Sequence, residues 1–312
     1  MRIRIMDFAV LINQILVLFL IIVLGYILRK REIITEEIAS GFSNILIQIT
    51  MPVLIIDSIL KIELNQEVIK NLAIYTIVAL LSYLFLIILS TIVTEKLKTQ
   101  QDTKEIFKFL LIFPNVGYMG IPVVSSIYPA EAVVYTIINN VIYNMYVWTY
   151  GIQIFNNDKK EKFEWRKLIN QGTIALTIGF LLLITRLPIG PLRGAISTVG
   201  GMTFPISMLV IGSSLTNIKN FDFLKDKYLY YQVFLKLFLI PLLGLLILNP
   251  LHLPKMIRDI SVIMLAMPCG ANSVIFAGKY KSDRLFASKA VFLTTLLSLF
   301  TIPLIIFILN LI

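Results

Sequence analysis

Residues 113–122 read Phe-Pro-Asn-Val-Gly-Tyr-Met-Gly-Ile-Pro and interrupt an otherwise apolar stretch. Pro114 and Pro122 each lack a backbone donor and crowd the preceding turn. Gly117 and Gly120 admit close backbone approach. A helix ending near Pro114 leaves carbonyls without partners, and one beginning near Gly120 to Pro122 leaves N–H groups without them. Pro122 suits that first turn, where its missing N–H costs nothing. A similar disruption follows at Met267-Pro268-Cys269-Gly270-Ala271-Asn272. In lipid, freed backbone groups need partners in protein or in a water-filled cavity. If the two breaks cross, two half-helix N-termini converge, each equivalent to about +0.5 charge. The chemistry this suits is binding a small anion such as a carboxylate, with the amides of Asn115 and Asn272 as further donors. The expected binding residues are Asn115, Gly117, Gly120 and Pro122 with Pro268, Gly270 and Asn272.

Other polar residues lie inside apolar stretches. Lys236 sits about nine residues into its segment, roughly 13 Å along a helix. It either snorkels to the interface or stands as an intramembrane cation that attracts the substrate. Asn140 and Asn144 share one helix face at i,i+4, where they line the cavity or tie their helix to a neighbour. Asp57 reads as an interfacial carboxylate, with proton coupling as the alternative. Tyr143, Tyr146, Trp148 and Tyr150 read as an interfacial aromatic belt. Cys269, the only cysteine, reads as a small packing residue, and with His252 the only histidine there is no H-E-x-x-H metal site.

The elements that must position these residues follow from composition. The 312 residues are 58% hydrophobic and 15% charged, with mean hydropathy +0.87, where a soluble chain would carry roughly 25% charge. The surplus apolar surface needs lipid as its solvent. Long apolar runs, rather than short alternating strands, exclude an outer-membrane barrel and give an all-α polytopic membrane protein. The net charge of +10 lies between the apolar runs, which indicates membrane orientation rather than nucleic acid.

Ten spans near the ~20-residue crossing length are expected at 8–28, 38–60, 68–94, 106–127, 131–155, 169–186, 194–216, 228–248, 257–278 and 286–310. The first reads as a retained helix rather than a cleaved signal peptide. Thr50-Met51-Pro52 in span two matches Thr203-Phe204-Pro205 in span seven, and Phe113-Pro114 in span four matches Met267-Pro268 in span nine. The two matches keep nearly the same offset, 52 to 205 and 114 to 268. That implies a five-plus-five duplication: 1–155, a linker 156–168, and 169–312. Five is odd, so the second half starts from the opposite side, as an inverted repeat with broken helices four and nine. Nineteen lysines and arginines (29–31, 96–108, 159–167, 219–227, 279–289) fall on one side and eight (2–4, 61–70, 186–193, 255–258) on the other. The richer side is cytoplasmic by the positive-inside rule, so both termini face outward.

Asn115-Val-Gly-Tyr-Met-Gly-Ile-Pro122 resembles the N-x-x-x-M-G-I-P signature of the auxin efflux carrier family. Pro268 to Ser273 with Phe276, Ala277 and Tyr280 resembles that family's ninth-helix crossover, and the segments around Pro52, Phe204-Pro205 and Lys236 to Pro241 resemble its second, seventh and eighth helices. The resemblance covers essentially the whole chain. It implies ten helices in two inverted repeats, crossed helices four and nine at the substrate site, and a role for Asn115 there. It also implies transport of auxin in plant members and of malate- or malonate-like acids in prokaryotic ones. Spans one, two, six and seven are then the scaffold and a homodimer contact. The long central loop of many plant carriers has no counterpart in 156–168, which points away from auxin and from plant-style phosphoregulation.

The expectation is an inner-membrane secondary transporter for small organic anions, with a proton or sodium as coupling ion and no cofactor. The rival is a sodium-coupled symporter of the bile-acid type. An intramembrane enzyme would need paired acidic motifs inside the spans, and an ATP-driven pump a nucleotide-binding motif; neither motif is present.

Overall fold

The computed structural model describes residues 8–63, 65–155, 169–186, 189–217, 226–270 and 272–312. The linker 156–168, Ala271, and the loop lysines 219 and 225 lie outside them. Every described element is helical. In chain order they are α1 (Phe8–Lys30), α2 (Glu36–Leu60), α3 (Gln66–Glu95), α4 (Gln101–Ile112), α5 (Val116–Ile127), α6 (130–155), α7 (Gln171–Thr185), α8 (Leu192–Ser214), α9 (Lys227–Leu251), α10 (Lys255–Ala266), α11 (Asn272–Lys279) and α12 (Arg284–Leu311).

Helix starts carry the residue types that supply a first-turn acceptor. Thr35, Asn65 and Asp283 accept from Ile38, Val68 and Phe286. Asn170 and Thr173 form a reciprocal capping box at the start of α7. Three helices widen to an i→i+5 turn just ahead of a proline: Leu46–Thr50 before Pro52, Val116–Gly120 before Pro122 and Leu235–Leu239 before Pro241. In each, the residue preceding the proline donates to the carbonyl five back. The wider turn moves aside the carbonyl that the proline ring would otherwise strike. These helices therefore run on through their prolines.

Among the described residues five helices, α2, α3, α8, α9 and α12, are long and apolar enough to cross a bilayer. Leu20, Leu81, Ile184, Leu246 and Phe300 are exposed on the outside, a surface that water does not tolerate over so wide an area. The all-helical build and apolar exterior are those of a polytopic membrane protein.

Two packing groups divide the molecule. α1 lies along α8, and α2 packs on α7 and α8. The first contact is backbone-close: a Cβ on Gly212 would stand 2.0 Å from the Ile22 carbonyl oxygen, and one on Gly25 2.5 Å from that of Leu209. Gly212→Ala should therefore force the helices apart and lower stability by about 1–3 kcal/mol, the usual cost of overpacking. Thermal unfolding in detergent measures this, and an unchanged midpoint would contradict the packing. In the second group α3 and α6 enclose the interrupted pairs α4–α5 and α10–α11, with α9 and α12 on the far side.

Candidate functional site

Each interruption begins at the residue before a proline, where the α region is disfavoured. Phe113 and Met267 are both extended, at φ −108 ψ 91 and φ −60 ψ 143. The two extended pieces pair antiparallel at Pro114 and Cys269. Asn115 N–H donates to the Pro268 carbonyl at 2.8 Å, and Gly270 N–H to the Phe113 carbonyl at 3.1 Å. Backbone groups freed by the broken helices thus satisfy one another. Gly270 is required by this approach, since a Cβ there would lie 3.2 Å from the Phe113 oxygen and 3.3 Å from the Pro114 oxygen. Gly270→Ala should loosen the bridge and cost about 1–2 kcal/mol, read as a lower unfolding midpoint; an unaltered midpoint would show that the bridge holds nothing.

A cavity of about 200 Å³ opens against this bridge. Its walls include Asn115 and Gly117 at the start of α5, Gly270 and Asn272 at the start of α11, Asn140, Tyr143 and Asn144 from α6, and Asn170, Gln171 and Gly172 at the start of α7. Three helix N-termini therefore face one hollow. Six carboxamides line it, and among the described residues no charged side chain does. Asn115 is 8% exposed. Its side chain does not cap α5 and makes no hydrogen bond among the described residues, so its amide is directed to whatever fills the cavity. Tyr143 and Asn272 face the same hollow. The Asn140 amide stands between the crossover and α7, 3.9 Å from a Cβ placed on either Gly117 or Gly172.

The structure thus gathers five of the expected residues, Asn115, Gly117, Asn140, Gly270 and Asn272, around one cavity. It places the other four elsewhere. Helix α5 starts at Val116, earlier than the Gly120 to Pro122 expected from sequence, because the widened turn keeps 116–120 helical. Gly120 consequently lies inside α5 against Met264, and Pro122 is buried two residues further. Pro268 contributes its carbonyl to the bridge and does not line the cavity. Lys236 neither snorkels nor reaches the cavity: it is 0% exposed and donates to the Leu111 carbonyl at 3.1 Å, in the last turn of α4.

Other expectations resolve by one helical position or less. The tie between span five and its neighbour is made by Asn139, which accepts from Tyr83 (3.1 Å) and donates to Tyr75 (3.3 Å). Asn144 folds back onto the Asn140 carbonyl. Three of the four expected belt aromatics pack internally instead: Tyr143 meets Phe113 edge-on, Tyr146 stacks on Tyr83 and donates to the Leu80 carbonyl, and Trp148 packs on Phe276, while Tyr150 lies under the Lys108 ammonium. α6 is enclosed by other helices, so its aromatics find protein partners rather than headgroups. Asp57 is buried and paired with Lys61 at 2.5 Å. Cys269 is buried, its Sγ 3.7 Å from the Leu110 carbonyl. Sequence reasoning missed the third N-terminus at Asn170 to Gly172. Its signal was the Asn170-x-x-Thr173 capping pattern directly after the charged linker.

The comparisons with known proteins agree with this geometry. A family model described as membrane transport protein matches residues 10–306. An uncharacterized transporter of Methanothermobacter thermautotrophicus is 21% identical over 296 residues, covering 94% of this chain and 96% of the relative. An uncharacterized transporter of Methanocaldococcus jannaschii is 23% identical over 308 residues, with the same coverage of 94% and 96%. The chain, a multi-pass membrane protein, belongs to the membrane transport protein family of auxin efflux carrier type.

Proposed function

We propose that this chain is a secondary carrier of small organic anions, malate- or malonate-like carboxylates rather than auxin, that works by alternating access. One observation carries the reading: three helix N-termini converge on a cavity lined by amides without a formal charge. Each terminus is equivalent to about +0.5 charge, and no carboxylate among the lining residues offsets them. The first-turn N–H groups of Gly117 and Tyr118 fall where a helix supplies no acceptor of its own. The volume, near 200 Å³, is below the ~300 Å³ of sites for drug-sized ligands and suits a small acid with a few waters.

The architecture behind this reading is ten membrane-spanning helices in two inverted repeats, 1–155 and 169–312, joined by a cytoplasmic linker. Segments related by a two-fold axis in the membrane plane must run antiparallel where they meet, and the antiparallel pairing of Pro114 with Cys269 supports that. Helices α1, α2, α7 and α8 form the scaffold and the dimer face, and the crossover-bearing helices move against it in an inner membrane with both termini outside. The rival sodium-coupled symporter needs free oxygens at the crossover. There the Phe113, Pro114 and Pro268 carbonyls already accept from Gly270, Val116 and Asn115, which leaves N–H groups as the freer set. A thermal-stabilisation screen in detergent tests the class. Malate, malonate and related acids should raise the midpoint in a saturable manner without sodium. Stabilisation by sodium or by organic cations alone would sink the reading.

A further inference from the structure

We propose that Lys236 carries the coupling proton of the transport cycle. The proposal rests on the carrier reading above and assigns its coupling ion. Lys236 belongs to the widened turn Leu235–Leu239 of α9, a geometry that often marks functional positions. Its ammonium is completely buried, and none of the ion pairs among the described residues includes it. Its one hydrogen bond goes to the Leu111 carbonyl, where α4 stops two residues short of the crossover bridge. One turn earlier on α9, Gln232 points its Nε2 at Cys269 Sγ (3.8 Å) and leaves its buried Oε1 without a partner. Two ammonium hydrogens and one amide oxygen are thus unused beside the moving part of the molecule.

The surroundings supply no counter-charge. On the elements packed around α9, the described charged residues are Asp102, Lys104 and Glu105 toward the start of α4, with Lys108 further along it, three residues before Leu111; Lys255, Arg258 and Asp259 at the start of α10; and Arg284 and Lys289 at the start of α12. Arg258, Lys255 and Asp259 pair with each other.

An ammonium buried without a carboxylate is strongly disfavoured, and lysine readily gives up its proton on burial. What compensates it here is the negative end of α4, equivalent to about −0.5 charge. That compensation exists only while the crossover keeps this geometry. When α4 and the bridge shift, the ammonium loses its acceptor and releases H⁺ to water that the movement admits, becoming a neutral amine. The return movement takes a proton up. One proton then accompanies each substrate: a monoanion such as acetate crosses with its charge balanced, and a dianion such as malate crosses with one negative charge left.

Reconstituted full-length protein tests this with malate, malonate and acetate in turn as probes, measuring labelled counterflow and accumulation driven by a pH gradient. Wild type should show counterflow, and a gradient of about one pH unit should support about tenfold accumulation at one proton per substrate. Lys236→Met and Lys236→Arg, the first never charged and the second always charged, should keep counterflow and lose accumulation. Accumulation by Lys236→Met equal to wild type overturns the proposal. So does wild-type counterflow that ignores the gradient, and that result leaves the carrier reading intact. Absence of wild-type counterflow with every probe removes the carrier reading itself, and this proposal with it. If neither variant folds, Lys236 belongs to stability and the coupling role falls.

Discussion

Asn140→Asp should abolish carboxylate uptake at neutral pH while leaving the protein folded. The residue lies where α6 passes between the crossover and the N-terminus of α7, and the substitution changes one atom's identity and little shape. It adds a negative charge to a cavity whose lining carries none. At about 4 Å and an effective dielectric near 20, two like charges repel by ~4 kcal/mol, or about a thousandfold in affinity. The sign gives the pH dependence. A carboxyl facing a bound anion is held toward its neutral form, so uptake should return as the pH falls and the new side chain protonates. A cation carrier would respond in the opposite sense, with tighter binding at neutral pH. Uptake measured across pH for wild type and variant decides between them, and unchanged uptake at neutral pH would remove Asn140 from the site.

Asn115→Ala is the second large effect. The backbone of Asn115 holds the bridge through its N–H, and alanine keeps that bond. The side chain makes no hydrogen bond among the described residues, so thermal stability should change by less than ~1 kcal/mol. A hydrogen bond from the amide to a carboxylate is worth about 1.5–3 kcal/mol, so the apparent affinity for substrate should fall by about ten- to a hundredfold. Uptake kinetics together with an unfolding curve separate the two roles. A large loss of stability would make Asn115 a structural residue, and wild-type kinetics would take it out of the site.

The parts of this molecule that were legible in the sequence are those that local chemistry dictates. Pro114 and Pro268 force the preceding residue to be extended whatever surrounds them, so both breaks could be placed. Gly270 has no Cβ to obstruct a second backbone, so close approach could be expected there. Helix α7's capping box is equally local, a pattern from Asn170 to Thr173 that hydropathy does not report. Gly120 and Pro122 were misplaced for a different reason. A proline two residues into a helix and a proline just after a widened turn look the same in sequence, and Met264 packing against Gly120 belongs to the tertiary structure. Asn139 and Asn140 differ by one residue, about 100° of helix. Which faces the cavity depends on how α6 is rotated against α3, and the Tyr83–Asn139–Tyr75 chain sets that rotation. Lys236 likewise turns inward through the five-residue turn at Leu235–Leu239, a feature that hydropathy does not report.

The central claim is that the crossover cavity takes up a small carboxylate. Malate uptake into proteoliposomes, for wild type and Asn115→Ala, with sodium replaced by potassium, tests it most directly. The account predicts saturable wild-type uptake that does not depend on sodium and is severely reduced in the variant at equal protein incorporation. Saturable uptake that requires sodium, or that the variant performs as well as wild type, would contradict it.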